Sequence, residues 1–250
     1  LRARVRTHLQ VKAARDDLAR RAAGLQAALS QQLDQVERLR DATMFVMVSL
    51  AEFRDQDTGN HVKRTQEYVR VLAEYLHEHP GDDAEAAALD EGSIELLAKS
   101  APLHDIGKVA IPDHILLKPG KLDVAEFEVM KTHTVHGWDI LQRAAHRMAG
   151  DSAFLDFACQ IARHHHERWD GQGYPDGLAG RGIPLAARLM AVADVYDALI
   201  SQRPYKRAFS HEQAMAHLAA GAGNHFDPEI VAAAQACVGR FTEIASAWRD

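Results

Sequence analysis

Between Leu18 and Thr43 the chain returns to an apolar or small side chain at alternating spacings of four and three, through Leu18, Ala22, Leu25, Leu29, Gln32, Val36, Leu39 and Thr43, with charged residues and Gln between them. A mean repeat of three and a half residues is the pattern of a coiled-coil seam, and polar Gln32 within it could fix the register. An amphipathic helix packed on its own domain is the other reading of the same stripe. No Pro and a single Gly occur before Asp41, so residue propensities agree with a long helix. The helical pattern runs on from Thr43 to Ala73, interrupted at Asp55 to Gly59, and Pro80 to Asp83 marks a turn. A further apolar-periodic segment from Ser93 to Leu103 stops at the breakers Gly107 and Pro112. More helices are predicted over Val124 to Met130, His136 to Ala145, Phe154 to His164, Leu185 to Ile200, His211 to Ala220 and Pro228 to Val238. Trp169 to Gly177 is too rich in Gly for helix or strand and reads as a shaped loop. Period-two alternation is scarce, which predicts an all-α fold, with short extended pieces near Val109 to Leu117; there is no internal repeat.

Composition narrows the chemistry. The chain has 250 residues, 47% of them apolar and 6% aromatic, which suits one globular domain with a helical extension and excludes a disordered or collagen-like chain. Its 15 His stand against two distant cysteines, Cys159 and Cys237, so any bound metal is expected on imidazole and carboxylate. A net charge of −6 argues against a protein that coats DNA by neutralising many phosphates, but leaves room for a small phosphorylated ligand held by a few local cations. The longest apolar run, near Met44 to Ala51, is under half of the roughly 18 to 20 residues a membrane span needs. With no secretory leader at Leu1 and unpaired cysteines, a cytoplasmic location is expected, and the absent initiator Met suggests that the natural N-terminus lies upstream.

Four clusters carry candidate chemistry. Asp57 and His61 are four apart and share a helix face if that segment is helical, although an Asp near a helix start is commonly a cap. His104 and Asp105 adjoin at the end of an apolar segment, with Lys108 four past His104; this pair can chelate divalent ions or form a buried salt bridge. His133 is uninformative by itself. His164, His165 and His166 precede the Gly-rich loop, and three imidazoles on an apolar helix need partners if buried, which metal ligation supplies. Asp194 lies in the otherwise nearly apolar run from Met190 to Ile200 and calls for a cation or a hydrogen-bond donor; Arg203 and Lys206 follow, cations that suit a phosphate.

The strings APLHDIGKVAIPDHILLKPGKL at 101 to 122, MKTH at 130 to 133, HHERWDGQGYPDGL at 165 to 178, ARLMAVADVYDALISQRPYK at 187 to 206 and HFDP at 225 to 228 together resemble the HD-GYP family, a subgroup of the HD superfamily of metal-dependent phosphohydrolases. The resemblance spans about residues 43 to 235. It implies an HD-type helical bundle at 43–250, preceded by a linker helix at 1–42, and cleavage of the messenger cyclic di-GMP. The first residues, LRARVRTHLQVK, resemble the last helix of a response-regulator receiver domain, which implies an output half whose receiver and histidine kinase lie elsewhere. The expected partners are thus cyclic di-GMP, that receiver and kinase, and a second copy paired through the N-terminal helix, with neither DNA nor membrane.

Carried over position by position, the family's metal ligands fall on His61, His104, Asp105, His133, His165, His166 and Asp194, leaving His164 outside. Relatives with a third ion generally have Glu where this chain has Asp57, whose shorter side chain leaves a third site open. Seven or eight ligands exceed the about four to six that one ion accepts, so two or three divalent transition-metal ions are implied, with iron and manganese suiting this mixture of His and carboxylate. The implied mechanism has Asp105 bridging two ions that supply an acidified water for attack on phosphorus, Lys108 stabilising charge on the phosphate, and Asp55, Tyr174, Arg203 and Lys206 holding bases or phosphates. The product would be linear pGpG, with onward cleavage to GMP as an open second step. A cyclic di-GMP sensor or adaptor with little turnover, and a phosphodiesterase for another cyclic dinucleotide, are the alternatives.

Overall fold

In the computed structural model the described residues are 2–52, 59–147, 152–201 and 208–249. They are α-helical with three short 3-10 turns; no strand occurs among them, only two isolated bridges, Asp170 with Ala179 and Ala222 with Phe226. The chain divides into two units, 1–47 and 48–250.

The first unit is one continuous helix, part of α1 (Arg2–Glu52). Its stripe residues Leu18, Leu25, Leu29, Val36 and Leu39 are all more than half exposed. Ion pairs on its surface are local, as between Arg21 and Asp17, four residues apart at 2.8 Å.

The second unit is built around α2 (Gly59–Glu78) and α9 (Leu185–Ile200). Tyr68, Val69, Leu72 and Leu76 recur on one face of α2 at helical spacing and are buried against Leu189, Met190, Ala193 and Tyr196 of α9, which is nearly apolar because most of it is enclosed. Tyr68 stacks on Phe241 at 4.6 Å and meets Tyr196 edge-on at 5.1 Å. Around this pair lie α4 (Glu91–Ser100), α8 (Ala153–His164), α10 (His211–Gly221), α11 (Pro228–Ala236) and α12 (Val238–Ala247), while α7 (His133–Arg147) packs on α8. The helix starts follow capping rules: Asp90, Asp123 and Ser210 each form a reciprocal capping box, Asp123 opening α6 (Val124–Lys131).

One buried polar knot ties the loops to the core. Arg188 on α9 reaches Asp83 at 2.6 Å, Asp227 at 2.7 Å and Glu85 at 2.8 Å, and Asp83 and Asp227 also cap the N-termini of α3 (Ala84–Ala87) and α11. The Asp of the HFDP string thus has a structural role. The extended pieces expected near Val109 to Leu117 are instead a 3-10 turn, Ile106–Ala110, and a single helical turn, α5 (Asp113–Leu116). Pro112 precedes that turn without entering it, and among the described residues there is no strand for an extended piece to pair with.

Candidate metal centre

Five segments bring the candidate ligands together. His61 sits in the first turn of α2, His104 and Asp105 between two 3-10 turns after α4, His133 at the first residue of α7, His165 and His166 just past the end of α8, and Asp194 in the middle of α9. The approach of the His104–Asp105 segment to α7 requires Gly107: a Cβ there would collide with the carbonyl oxygen of His133 and the backbone of Gly137. Behind His166 the chain reverses, and Gly173 passes so close to the backbone of Glu167 and Arg168 that no side chain fits.

The side chains form two adjoining groups, Asp105 with His133, His165 and His166, and His61 with His104 and Asp194, the donor atoms of each lying within 4.8 Å of one another. The rings of His104 and His61 are 5.5 Å apart, and those of His104 and His165 5.3 Å. Asp105 lies between the groups, with Oδ2 3.2 Å from His104 Nε2 and Oδ1 3.3 Å from His133 Nε2 and 3.8 Å from His165 Nε2.

The far side of each ring decides what the near side can do. His104, His133 and His165 each donate Nδ1–H to a backbone carbonyl, those of Ala101, Met130 and Ile161, at 3.1, 2.8 and 2.9 Å. A carbonyl only accepts, so the proton is on Nδ1 and each Nε2 presents a lone pair to the centre. These three Nε2 atoms and Asp105 Oδ1 are buried without a hydrogen-bond partner. With the rings neutral these acceptors face one another and repel unless a cation lies among them, a proton on His104 without metal or a metal ion in its place, so these residues fit divalent metal. His61 differs, since its Nδ1 is 2.8 Å from Oδ2 of Asp197, a fully buried carboxylate that Arg64 also grips at 2.7 and 2.9 Å.

The electrostatics follow. Burial would push Asp105 up, but Lys108 Nζ, 2.7 Å away, and the neighbouring His104 hold it well below the usual carboxylate range. Burial pushes His166 down to about 3, and His165 is likewise held well below its ordinary value, so both are neutral rings. Tyr174 of the Gly-rich loop lies over His166, with ring centroids 4.8 Å apart and planes at 30°.

Of the residues singled out from the sequence, His61, His104, Asp105, Lys108, His133, His165, His166, Tyr174 and Asp194 converge here. Asp55, Asp57, Arg203 and Lys206 lie outside the described residues. His164 turns away toward Glu167 and Asp176, whose carboxylates are already engaged: Glu167 accepts from the backbone N–H of Asp176, Gly177 and Leu178, and Arg163 binds Asp176 through two nitrogens at 2.7 and 2.8 Å. That group anchors the loop. Sequence reasoning passed over Asp197, Arg64 and Glu167. Asp197 had the same signal as Asp194, a carboxylate in a nearly apolar helix, and Arg64 is the buried cation that answers it.

The HD domain family model matches residues 46–230, which holds every ligand described above. The chain belongs to the HD domain family. The chain is 46% identical over all 250 of its residues to a probable cyclic di-GMP phosphodiesterase of Vibrio cholerae, of which it covers 56%. It is 40% identical over 231 residues, 92% of the chain, to the cyclic di-GMP phosphodiesterase response regulator RpfG of Xanthomonas campestris, covering 57% of that protein. The chain thus spans a little over half the length of these curated relatives. Among solved structures, a cyclic GMP-AMP specific phosphodiesterase of V. cholerae matches 83% of the chain, and 51% of its own length, at TM-score 0.54 and 18% identity, a likeness of fold. No described helix is long and apolar enough to cross a membrane.

Proposed function

We propose that this HD domain hydrolyses cyclic di-GMP to linear pGpG, with two divalent ions held by the two ligand groups. The observation that carries the reading is the set of buried, unpartnered Nε2 atoms and the Asp105 oxygen, held facing one another by Nδ1–H bonds on the far side of the rings. His61, His104 and Asp194 would hold one ion, His133, His165 and His166 the other, with Asp105 shared. When bound, such ions polarise a phosphoryl oxygen and lower the pKa of water enough to supply a nucleophile near neutral pH.

The protein's own groups account for the rest. Lys108 places an ammonium beside Asp105, where it can donate to a non-bridging phosphate oxygen and stabilise charge as the 3'-oxygen leaves. Tyr174, held over His166 by a loop that Glu167 gathers through three backbone N–H groups, would bound the substrate and exclude water. Asp55, Arg203 and Lys206 would complete the hold on bases and phosphates, and Asp57 would serve a third ion, with iron or manganese as the metal. Onward cleavage to GMP would follow in the same site.

The relation to a response regulator supports reading the chain as a cytoplasmic output half, residues 1–42 a linker and 43–250 the hydrolase, driven by a receiver and its kinase. The exposed leucine stripe of α1 supports a parallel dimer through Leu18 to Leu39. Sedimentation with and without residues 1–40 tests the dimer, and equal monomer masses would overturn it. For the activity, metal-reconstituted protein is assayed beside His104→Ala and Asp105→Ala. Release of pGpG by the parent alone supports the enzyme, whereas metal-loaded protein that binds cyclic di-GMP and releases nothing would be a sensor.

A further inference from the structure

Helix α6 presents an aromatic ring that no core explains. None of its residues is buried; Phe127 is 46% and Val124 80% exposed. The helix is nevertheless braced, by the Asp123–Glu126 capping box and by Lys118, whose ammonium binds both oxygens of Glu126 at 2.7 and 2.5 Å. A rigid helix thus carries a large apolar ring at its surface, at the cost of leaving that ring partly in water.

The position of the ring gives it a use. Phe127 meets Tyr174 edge-on, with centroids 6.2 Å apart and planes at 83°, and Tyr174 in turn lies over the ligand His166. Lys131, one turn after Phe127, sets its ammonium 5.7 Å from the centroids of both rings. His166, Tyr174 and Phe127 form a run of three rings from the candidate ligand group to solvent, and the ammonium beside the outer two is held in place by Glu128 at 2.7 Å.

We propose that Phe127, standing edge-on to Tyr174 with Lys131 beside it, offers its own exposed face for stacking one nucleobase of the bound cyclic dinucleotide, with Tyr174 as the inner wall of that corner. This rests on the phosphodiesterase reading above. A phosphodiester held at Asp105 and Lys108 carries a nucleoside on each side, and the base directed toward Tyr174 reaches a surface of exposed ring and cation. Such a surface holds any base by its π-face, so this side of the site accepts guanine or adenine alike, and discrimination between them falls to the other base.

The test compares wild type with Phe127→Ala, Phe127→Leu, Phe127→Trp and Lys131→Gln in the metal-loaded full chain, on cyclic di-GMP and on 3'3'-cGAMP. Phe127→Ala and Phe127→Leu are expected to raise KM about ten-fold with kcat and metal content unchanged, and Phe127→Trp to retain wild-type KM. Lys131→Gln should raise KM about two- to five-fold. Where both substrates are turned over, the fold-change is the same for each. If Phe127→Leu matches wild type, the ring is only apolar cover and the platform is wrong; unchanged KM in Phe127→Ala overturns it equally. A wild-type protein that turns over neither dinucleotide overturns the phosphodiesterase reading and the platform with it. Because Phe127 is exposed, a melting curve for each variant suffices to show that it is folded.

Discussion

The two ligand groups use the same residue types but are backed differently. In the group of Asp105, His133, His165 and His166, the Nδ1 protons of His133 and His165 go to main-chain carbonyls, neutral acceptors that fix the tautomer and little else. In the group of His61, His104 and Asp194, His104 is backed by the carbonyl of Ala101 in the same way, but His61 is backed by the carboxylate of Asp197, which makes its ring the more basic donor. Burial lowers all of these rings and leaves His165 and His166 depressed, whereas His61 is raised because Asp197 and Asp194 outweigh its burial. A helix can present an imidazole in either way, but only a second buried charge changes the strength of the ligand. Asp197 can be that charge because Arg64 neutralises it from behind.

The comparison can be broken most directly at the residue both groups share. Asp105→Ala should abolish binding of both ions and lower turnover by about a thousand-fold or more, since it removes the anion that lets four imidazoles face one another. Retention of one tightly bound ion would show that the groups do not share Asp105.

Asp197→Asn is expected to act on one group alone. The amide still accepts from His61 but carries no charge, so affinity at the His61 group should fall by about 10- to 100-fold while the other is unchanged. Elemental analysis after dialysis should find about half the metal of the parent. Equal loss from both groups would remove the distinction.

A smaller effect lies in pH. Without metal, His104 is raised to about 9, because Asp105 and Asp194 outweigh the burial that would lower it. A His whose folded value exceeds its ordinary 6.5 adds stability that is full below about 6.5 and is lost as pH rises through about 9. The Tm of metal-stripped protein should therefore fall across that window. In loaded protein the ion replaces the proton and this loss should vanish. The same slope in both forms would mean that His104 does not meet the metal.

Glu167→Gln should be the mildest change. It weakens the backbone N–H bonds that shape the loop, raising KM by about two- to ten-fold without altering metal content. A loss of metal would make Glu167 part of the ligand arrangement.

Much of the bundle was legible because helical periodicity is local. Leu185 to Ile200 was readable to the residue, and His211 to Ala220 to within one. The terminal helix Val238–Ala247 was missed, since Phe241 is its one buried side chain and so short a helix shows little stripe. The extended pieces expected near Val109 are not found either, since an extended piece needs a neighbour to pair with and no strand occurs among the described residues.

For the site, residue chemistry and family likeness named the candidate ligands that the fold brings together. Five of the fifteen His, with Asp105 and Asp194, were set apart from the rest by the resemblance to the HD-GYP family, since His133 carries no signal by itself. Their pairing into groups of three and four was not, because it depends on segments far apart in the chain meeting at Gly107 and along α9. Nor were the tautomers, which are set by the carbonyls of Ala101, Met130 and Ile161, or the unequal backing of His61 by Asp197, which lies 136 residues away. Side-chain type and helical period are properties of short stretches of chain and can be read there. The direction of a lone pair and the strength of a ligand depend on what packs behind the ring, and only the folded bundle determines that.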